Sequence, residues 1–310
     1  MMTAPVPFSR PTARLIGQRR RLHLQHGPID LVIEAEGPGT EVALAYDQAR
    51  AAFETVLCDL VAELPLLRQA TGECPQGTIA RRMYAATAPF RPEFITPMAA
   101  VAGSVADHVL AHLTQGRDLA RACVNNGGDI ALMLNEGAFR VGICEDPQTG
   151  KPGGVITLSP EHAIRGIATS GWRGRSHSLG IADAVTVLAS SAASADAAAT
   201  MIANKVDLPG SPLIARSRAS DLAPDSDLGD RLVTTAVGAL SPDEINRALA
   251  RGERAAADYH SRGLVAASYI GLASEKKIVD RQAILAPTAP LHTPIVPHKS
   301  ERHREEPVCA

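Results

Sequence analysis

Apolar residues recur every three or four positions over residues 41–64, at Val42, Ala45, Ala49, Phe53, Val56, Leu60 and Leu64, and Pro65 follows. That spacing predicts one amphipathic helix. Before it, residues 13–25 and 29–36 predict two strands joined by the turn His26-Gly27-Pro28. Residues 66–95, interrupted by Pro75, Pro89 and Pro92, predict a long irregular loop. Thr96-Pro97 then opens a helix to about Leu113 whose first half, residues 99–106, is almost entirely small. A helix so thin on one face lets a second backbone or a flat ligand come close.

Short strands follow at 121–124, 130–134, 138–144 and 155–158, separated by Asn125-Asn126-Gly127-Gly128, Asn135-Glu136-Gly137 and Asp146-Pro147-Gln148-Thr149-Gly150. Turns of that composition predict an antiparallel meander. Further strands are expected at 166–169 and 183–189, then an alanine-rich helix over 195–205. Ser241-Pro242-Asp243-Glu244 is a capping box that opens a helix to about Arg262, followed by a strand over 264–272. The pattern predicts an α+β fold, with mixed and antiparallel sheets packed with helices, in a single domain over residues 1–286. Residues 287–310, rich in proline, histidine and charge, predict a disordered tail.

Composition narrows the choices. The apolar fraction is an ordinary 45% but only 3% is aromatic, so small aliphatic residues fill the interior. Charges of 31 basic and 33 acidic residues give a net −2, which excludes an overall field for nucleic acid or an anionic membrane. The run Arg19-Arg20-Arg21 is local and reads as a solvated strand edge. Five cysteines without a Cys-x-x-Cys pair predict reduced thiols. With neither an apolar leader nor a membrane-length apolar run, a cytoplasmic location is expected.

Three constellations can carry chemistry. Asn125-Asn126-Gly127-Gly128-Asp129 clears side-chain bulk where backbone could meet a phosphate, and it also suits a plain hairpin turn. Ala168-Thr169-Ser170-Gly171, followed by Trp172, Arg173, Arg175 and His177, places hydroxyls and cations at a strand end; His177 is the one catalytic candidate. In Ser194-Ala195-Asp196-Ala197-Ala198-Ala199-Thr200, Asp196 and Thr200 share a helix face, an arrangement equally suited to Mg²⁺ and to helix capping by Ser194 and Asp196.

In serial order over about residues 96–206, these segments resemble the ApbE-like superfamily, which moves FMN from FAD onto a protein hydroxyl. Val101-Ala102-Gly103-Ser104-Val105-Ala106-Asp107 is similar to the family's flavin-contacting segment, and Asn126-Gly127-Gly128-Asp129 to its glycine-glycine-aspartate turn. Phe139-Arg140-Val141-Gly142-Ile143 and Ala168-Thr169-Ser170-Gly171 resemble its next signatures, and residues 195–200 its metal-binding helix. The resemblance implies an ApbE-like fold and a Mg²⁺-dependent, FAD-utilising transferase acting on a serine or threonine of a protein partner, a flavin-accepting or redox protein. It implies flavin-nucleotide contacts at Gly103, Asp107, Gly127, Gly128, Asp129, Thr169 and Ser170, and metal ligands at Asp196 and Thr200. Ala102 stands where the family has lysine, and the family's aspartate-proline-x-threonine-glycine run is missing after His177. Those departures keep open a non-catalytic flavin- or nucleotide-binding protein, or an accessory partner of a redox or catabolic enzyme. Small-residue helices and sheet edges also make a homodimer an expectation.

Overall fold

The computed structural model describes residues 9–18, 20–146, 151–287 and 308–309. In chain order the elements begin with β1 (Thr12–Ile16), β2 (Arg21–His26), β3 (Ile29–Glu36), α1 (Gly39–Phe53), α2 (Val56–Ala62), α3 (Leu64–Leu67), α4 (Thr78–Thr87) and α5 (Val101–Thr114). The middle of the chain forms β4 (Arg121–Asn126), β5 (Asp129–Leu134), β6 (Phe139–Asp146), β7 (Lys151–Leu158), β8 (Gly166–Ser170), β9 (Ala184–Ala189) and α6 (Ala192–Lys205). Then come β10 (Ile214–Arg218), α7 (Ala219–Leu222), β11 (Leu232–Val237), α8 (Pro242–Ser261), β12 (Ala267–Leu272), β13 (Glu275–Asp280), β14 (Leu285–Pro287) and β15 (Val308–Cys309).

Nine strands form one sheet in the order β1-β2-β3-β4-β5-β8-β9-β12-β13, antiparallel at every pairing. Strand alternation divides its side chains between two cores. On one face Leu31, Ile33 and Val124 meet Val105 and Val109 of α5, while Val185 and Val187 meet the alanines of α6 and Ala248 and Leu249 of α8. On the other face Ile130, Ile167 and Leu188 pack against Val141, Ile143, Ile156 and Leu158 of a second, four-stranded sheet, β14-β7-β6-β15. Alanine is the commonest buried residue of α6, so the helix backbone lies close to the strands beneath it.

The α+β class and antiparallel sheet are as the sequence predicts, but several elements differ. Residues 13–25 form two strands, because the chain turns at Gly17, φ +67°, where the amide of Arg20 donates to the Gly17 carbonyl at 3.2 Å. Arg19 of the basic run lies outside the described residues. The helix over 41–64 breaks at Glu54-Thr55 and resumes as α2, a bend that buries Phe53, Val56, Leu57 and Leu60 in one core. The long loop over 66–95 contains α4, which buries Ile79, Ala80 and Met83; its N-terminal amides at Gln76 and Gly77 donate to the Glu63 carboxylate, both at 2.6 Å. Carboxylate help from a distant segment is invisible to local patterning.

The expected meander is also interrupted. β6 and β7 leave the main sheet as their own hairpin, and β5 pairs directly with β8. The alanine-rich helix starts three residues earlier than 195, with Ser191 rather than Ser194 as its cap: the Ser191 hydroxyl accepts from the Ser194 amide at 3.1 Å. The capping box at Ser241 and Glu244 forms as expected. Of the anticipated tail, residues 288–307 and 310 lie outside the described residues. Among the described residues no helix is long and apolar enough to cross a membrane, and Cys58, Cys74 and Cys123 are free thiols.

Candidate functional site

The tip of the β4–β5 hairpin organises the site. Asn126 pairs with Asp129 across Gly127 and Gly128, whose φ angles of +66° and +117° need glycine. The amide of Gly128 donates to the Asn125 side chain at 2.8 Å, which holds the bend shut. Alternation then sends neighbouring side chains to opposite faces. The Asn126 amide donates to the Ala102 carbonyl of α5 at 3.1 Å, whereas Asn125 lines a cleft that also includes Cys144 of the smaller sheet.

On the helical face the N-termini of α5 and α6 meet. A Cβ on Gly103 would lie 2.3 Å from the carbonyl oxygen of Ala192, a contact that the missing side chain avoids. Asp196 of α6 accepts the Gly103 amide at 3.0 Å, with help from the Ala102 amide. Asp107 of α5 accepts the amides of Ala192 and Ala193 at 3.1 and 3.0 Å, and Arg82 of α4 approaches its carboxylate at 3.8 Å. Asp129 joins this group from the hairpin tip, its Oδ1 accepting the Thr169 amide at 3.3 Å.

The electrostatics follow from that crowding. Burial pushes the Asp129 carboxyl up to about 7, against the pull of the Thr169 amide and the Arg175 guanidinium. Burial, then the neighbouring Asp129 and, more weakly, Asp107 hold Asp196 well above the usual carboxylate range, opposed by the Gly103 and Ala102 amides. Asp107 is raised by burial too, but the two amides of α6 and Arg82 restrain it. Carboxyls this close keep a proton unless a cation joins them.

On the other face is a cleft of about 390 Å³ lined by Gly127, Gly128, Thr169, Ser170, Arg175 and Asp183 among others. Arg175 lies over the bend so closely that a Cβ on Gly127 would fall 1.7 Å from its Nη2. The hydroxyls of Thr169 and Thr186 share a 2.8 Å hydrogen bond. Asp183 holds the rim: it accepts from Trp172 Nε1 at 3.1 Å, Arg173 Nε at 2.6 Å and the Ala273 amide at 2.6 Å.

The predicted residues divide between the two faces of one hairpin tip. Gly103, Asp107, Asp129 and Asp196 gather on the helical face, and Gly127, Gly128, Thr169 and Ser170 line the cleft. Thr200 is one turn beyond Asp196 on α6 and is part-buried. His177 is exposed on the loop between β8 and β9 and is not among the residues lining the cleft. The role of Asp183 was not foreseen, because its partners come from positions as remote as Ala273 and no local spacing marks them.

Asp129 and Asp196 have the chemistry to hold a divalent cation, since they are two neighbouring carboxyls, both raised by burial and Asp196 also by the charge of Asp129. Among the described residues no group of three or more His, Cys, Asp or Glu is arranged to hold a metal. A hard cation here would complete its shell with water or phosphate oxygens.

The sequence model of the family described as AbpE bacteria matches residues 13–278. A UPF0280 protein of Methanosarcina acetivorans is 32% identical over 210 residues, 66% of this chain and 79% of that protein. A UPF0280 protein of Methanothermobacter thermautotrophicus is 42% identical over 116 residues, 37% of this chain and 44% of that protein. The matched region spans about half the length of the first curated relatives. Among solved structures, one titled Flavin Transferase ApbE from Vibrio cholerae aligns over 90% of this chain and 99% of that one, with 13% identity and a TM-score of 0.42. The chain belongs to the AbpE bacteria family.

Proposed function

We propose that this member of an ApbE-like family is a Mg²⁺-dependent flavin transferase that moves FMN from FAD to a serine or threonine of a protein partner. The observation that carries this reading is the meeting of Asp129 and Asp196 beside the paired-glycine bend, with a cleft on its far side. In this reading Asp129, Asp196 and Thr200 hold the metal, and Gly127, Gly128, Thr169 and Ser170 border the dinucleotide. Bound there, Mg²⁺ supplies positive charge to a pyrophosphate. Arg175, over the bend, adds a cation from the protein side. The acceptor hydroxyl oxygen bonds to the FMN phosphorus, the pyrophosphate P–O bond breaks, AMP leaves, and the hydroxyl proton passes to solvent.

One feature favours a second reading. Ala102, at the position where the resembled segment has lysine, presents no charge, so a protein that binds FAD without transferring FMN is the alternative. Incubation with FAD, Mg²⁺ and candidate acceptor proteins separates the two. AMP release with covalent flavin fluorescence on a protein band supports transfer. Saturable FAD binding without AMP supports the alternative, and absence of binding removes both.

A further inference from the structure

Away from the hairpin tip, a second cavity of about 540 Å³ opens between α2, α4 and α5, and two histidines of α5 line it. His108 and His112 are four residues apart, so their side chains project from the same helix face. Their ring centroids are 4.4 Å apart with the planes tilted by 48°, too steep for stacking. The rest of the lining mixes small apolar residues with the oxygen-bearing Asp59, Glu63 and Thr78.

The hydrogen bonding sets the chemistry of the pair. Nδ1 of His112 lies 3.0 Å from the His108 carbonyl oxygen. A carbonyl only accepts, so Nδ1 carries the hydrogen and the Nε2 lone pair is left for another partner. This is the arrangement in which a metal-ligating imidazole is held, its second nitrogen fixed by a backbone carbonyl. Two imidazoles on one helix face suit a late first-row divalent ion better than Mg²⁺, which prefers oxygen.

We propose that His108 and His112 form a two-histidine site for a late first-row divalent cation, Zn²⁺ or Ni²⁺, separate from the carboxylate pair at the hairpin tip. Ligation is through one nitrogen of each ring, with water in the open positions and the Asp59 carboxylate nearby as an acceptor for that water. The open positions make the site able to take a further small ligand from the cavity.

The test is calorimetric titration of the full chain with ZnCl₂ or NiCl₂, in excess Mg²⁺, at neutral pH. The tail also contains His292, His298 and His303, so a variant with these three changed to alanine is titrated in parallel. The expected result is one bound ion per chain in both proteins. Binding should weaken by about 100-fold or more in His112→Ala and in His108→Ala, beyond the roughly 10–100-fold cost of losing an outer-shell partner, and be unchanged in Asp196→Asn. His112 is exposed, so its replacement leaves folding intact and keeps the test readable if His108→Ala does not fold. No binding, binding of undiminished affinity in His112→Ala, or binding that disappears with the tail histidines would each overturn the proposal. Because Asp196→Asn is included, failure here is distinguishable from failure of the flavin-transferase reading.

Discussion

Asp107 and Asp196 cap each other's helices. Asp107, on α5, accepts the first two amides of α6 at 3.1 and 3.0 Å, and Asp196, on α6, accepts the Gly103 amide of α5 at 3.0 Å. Each carboxylate thereby sits at the positive end of the other helix. The exchange fixes where two helix N-termini stand and leaves Asp196 beside Asp129.

Capping by Asp196 and the metal role proposed for it are separable. Asp196→Asn keeps an oxygen for the Gly103 amide, so the melting temperature should change little while Mg²⁺-dependent AMP release falls by 100-fold or more, roughly the cost of losing a transition-state charge contact. Asp196→Ala should lose the cap as well, costing about 1 kcal/mol in a denaturant titration. Normal turnover of FAD by Asp196→Asn would remove the metal role.

Asp107→Ala should destabilise more than Asp196→Ala, by about 2 kcal/mol, since the first two amides of α6 lose their acceptor and Arg82 loses its partner. Asp107→Asn keeps only one acceptor oxygen and should fall between. Urea unfolding midpoints of the three variants check the order.

Gly103→Ala should be more harmful than a helix interior normally predicts. Alanine has the better helix propensity, yet its Cβ would meet the Ala192 carbonyl oxygen at 2.3 Å. Separating α5 from α6 should cost about 1–3 kcal/mol. A variant as stable as the parent would show that the two helices are free to move apart.

The pH dependence of stability should carry a signature of Asp129. Its folded carboxyl titrates at about 7 against an unfolded value near 3.9. Between those values the folded state binds more protons than the unfolded state, so this group's contribution is full below about 4 and is lost as pH rises through 7. In the absence of divalent metal, Asp129→Asn should therefore raise the melting temperature at pH 8 and do little at pH 4. Mg²⁺ should reduce that difference in the parent protein. Melting curves across the range, with and without Mg²⁺, check both statements.

Ala102→Lys tests the charge missing from α5. The side chain of Asn126 already bonds the Ala102 carbonyl, so the position is next to the glycine bend. If phosphate binding is limited by positive charge, the substitution should lower the apparent KM for FAD several-fold. An unchanged KM would show that Arg175 and the metal suffice.

Local patterning determined the elements whose cues are adjacent in sequence. The capping box at Ser241 and Glu244, the glycine bend at Gly127 and Gly128 and the small-residue face around Gly103 depend on neighbours within a few residues, so spacing reveals them. Serial order of motifs did the same for the family and the α+β class. Tertiary structure alone decided the rest. The start of α4 depends on Glu63, 13 residues before Gln76; β6 and β7 leave the main sheet because their apolar faces bury against it; and Asp196 meets Gly103 across 93 residues. Whether a carboxyl caps a helix, holds a proton or waits for a cation is set by what surrounds it, and those surroundings come from remote parts of the chain.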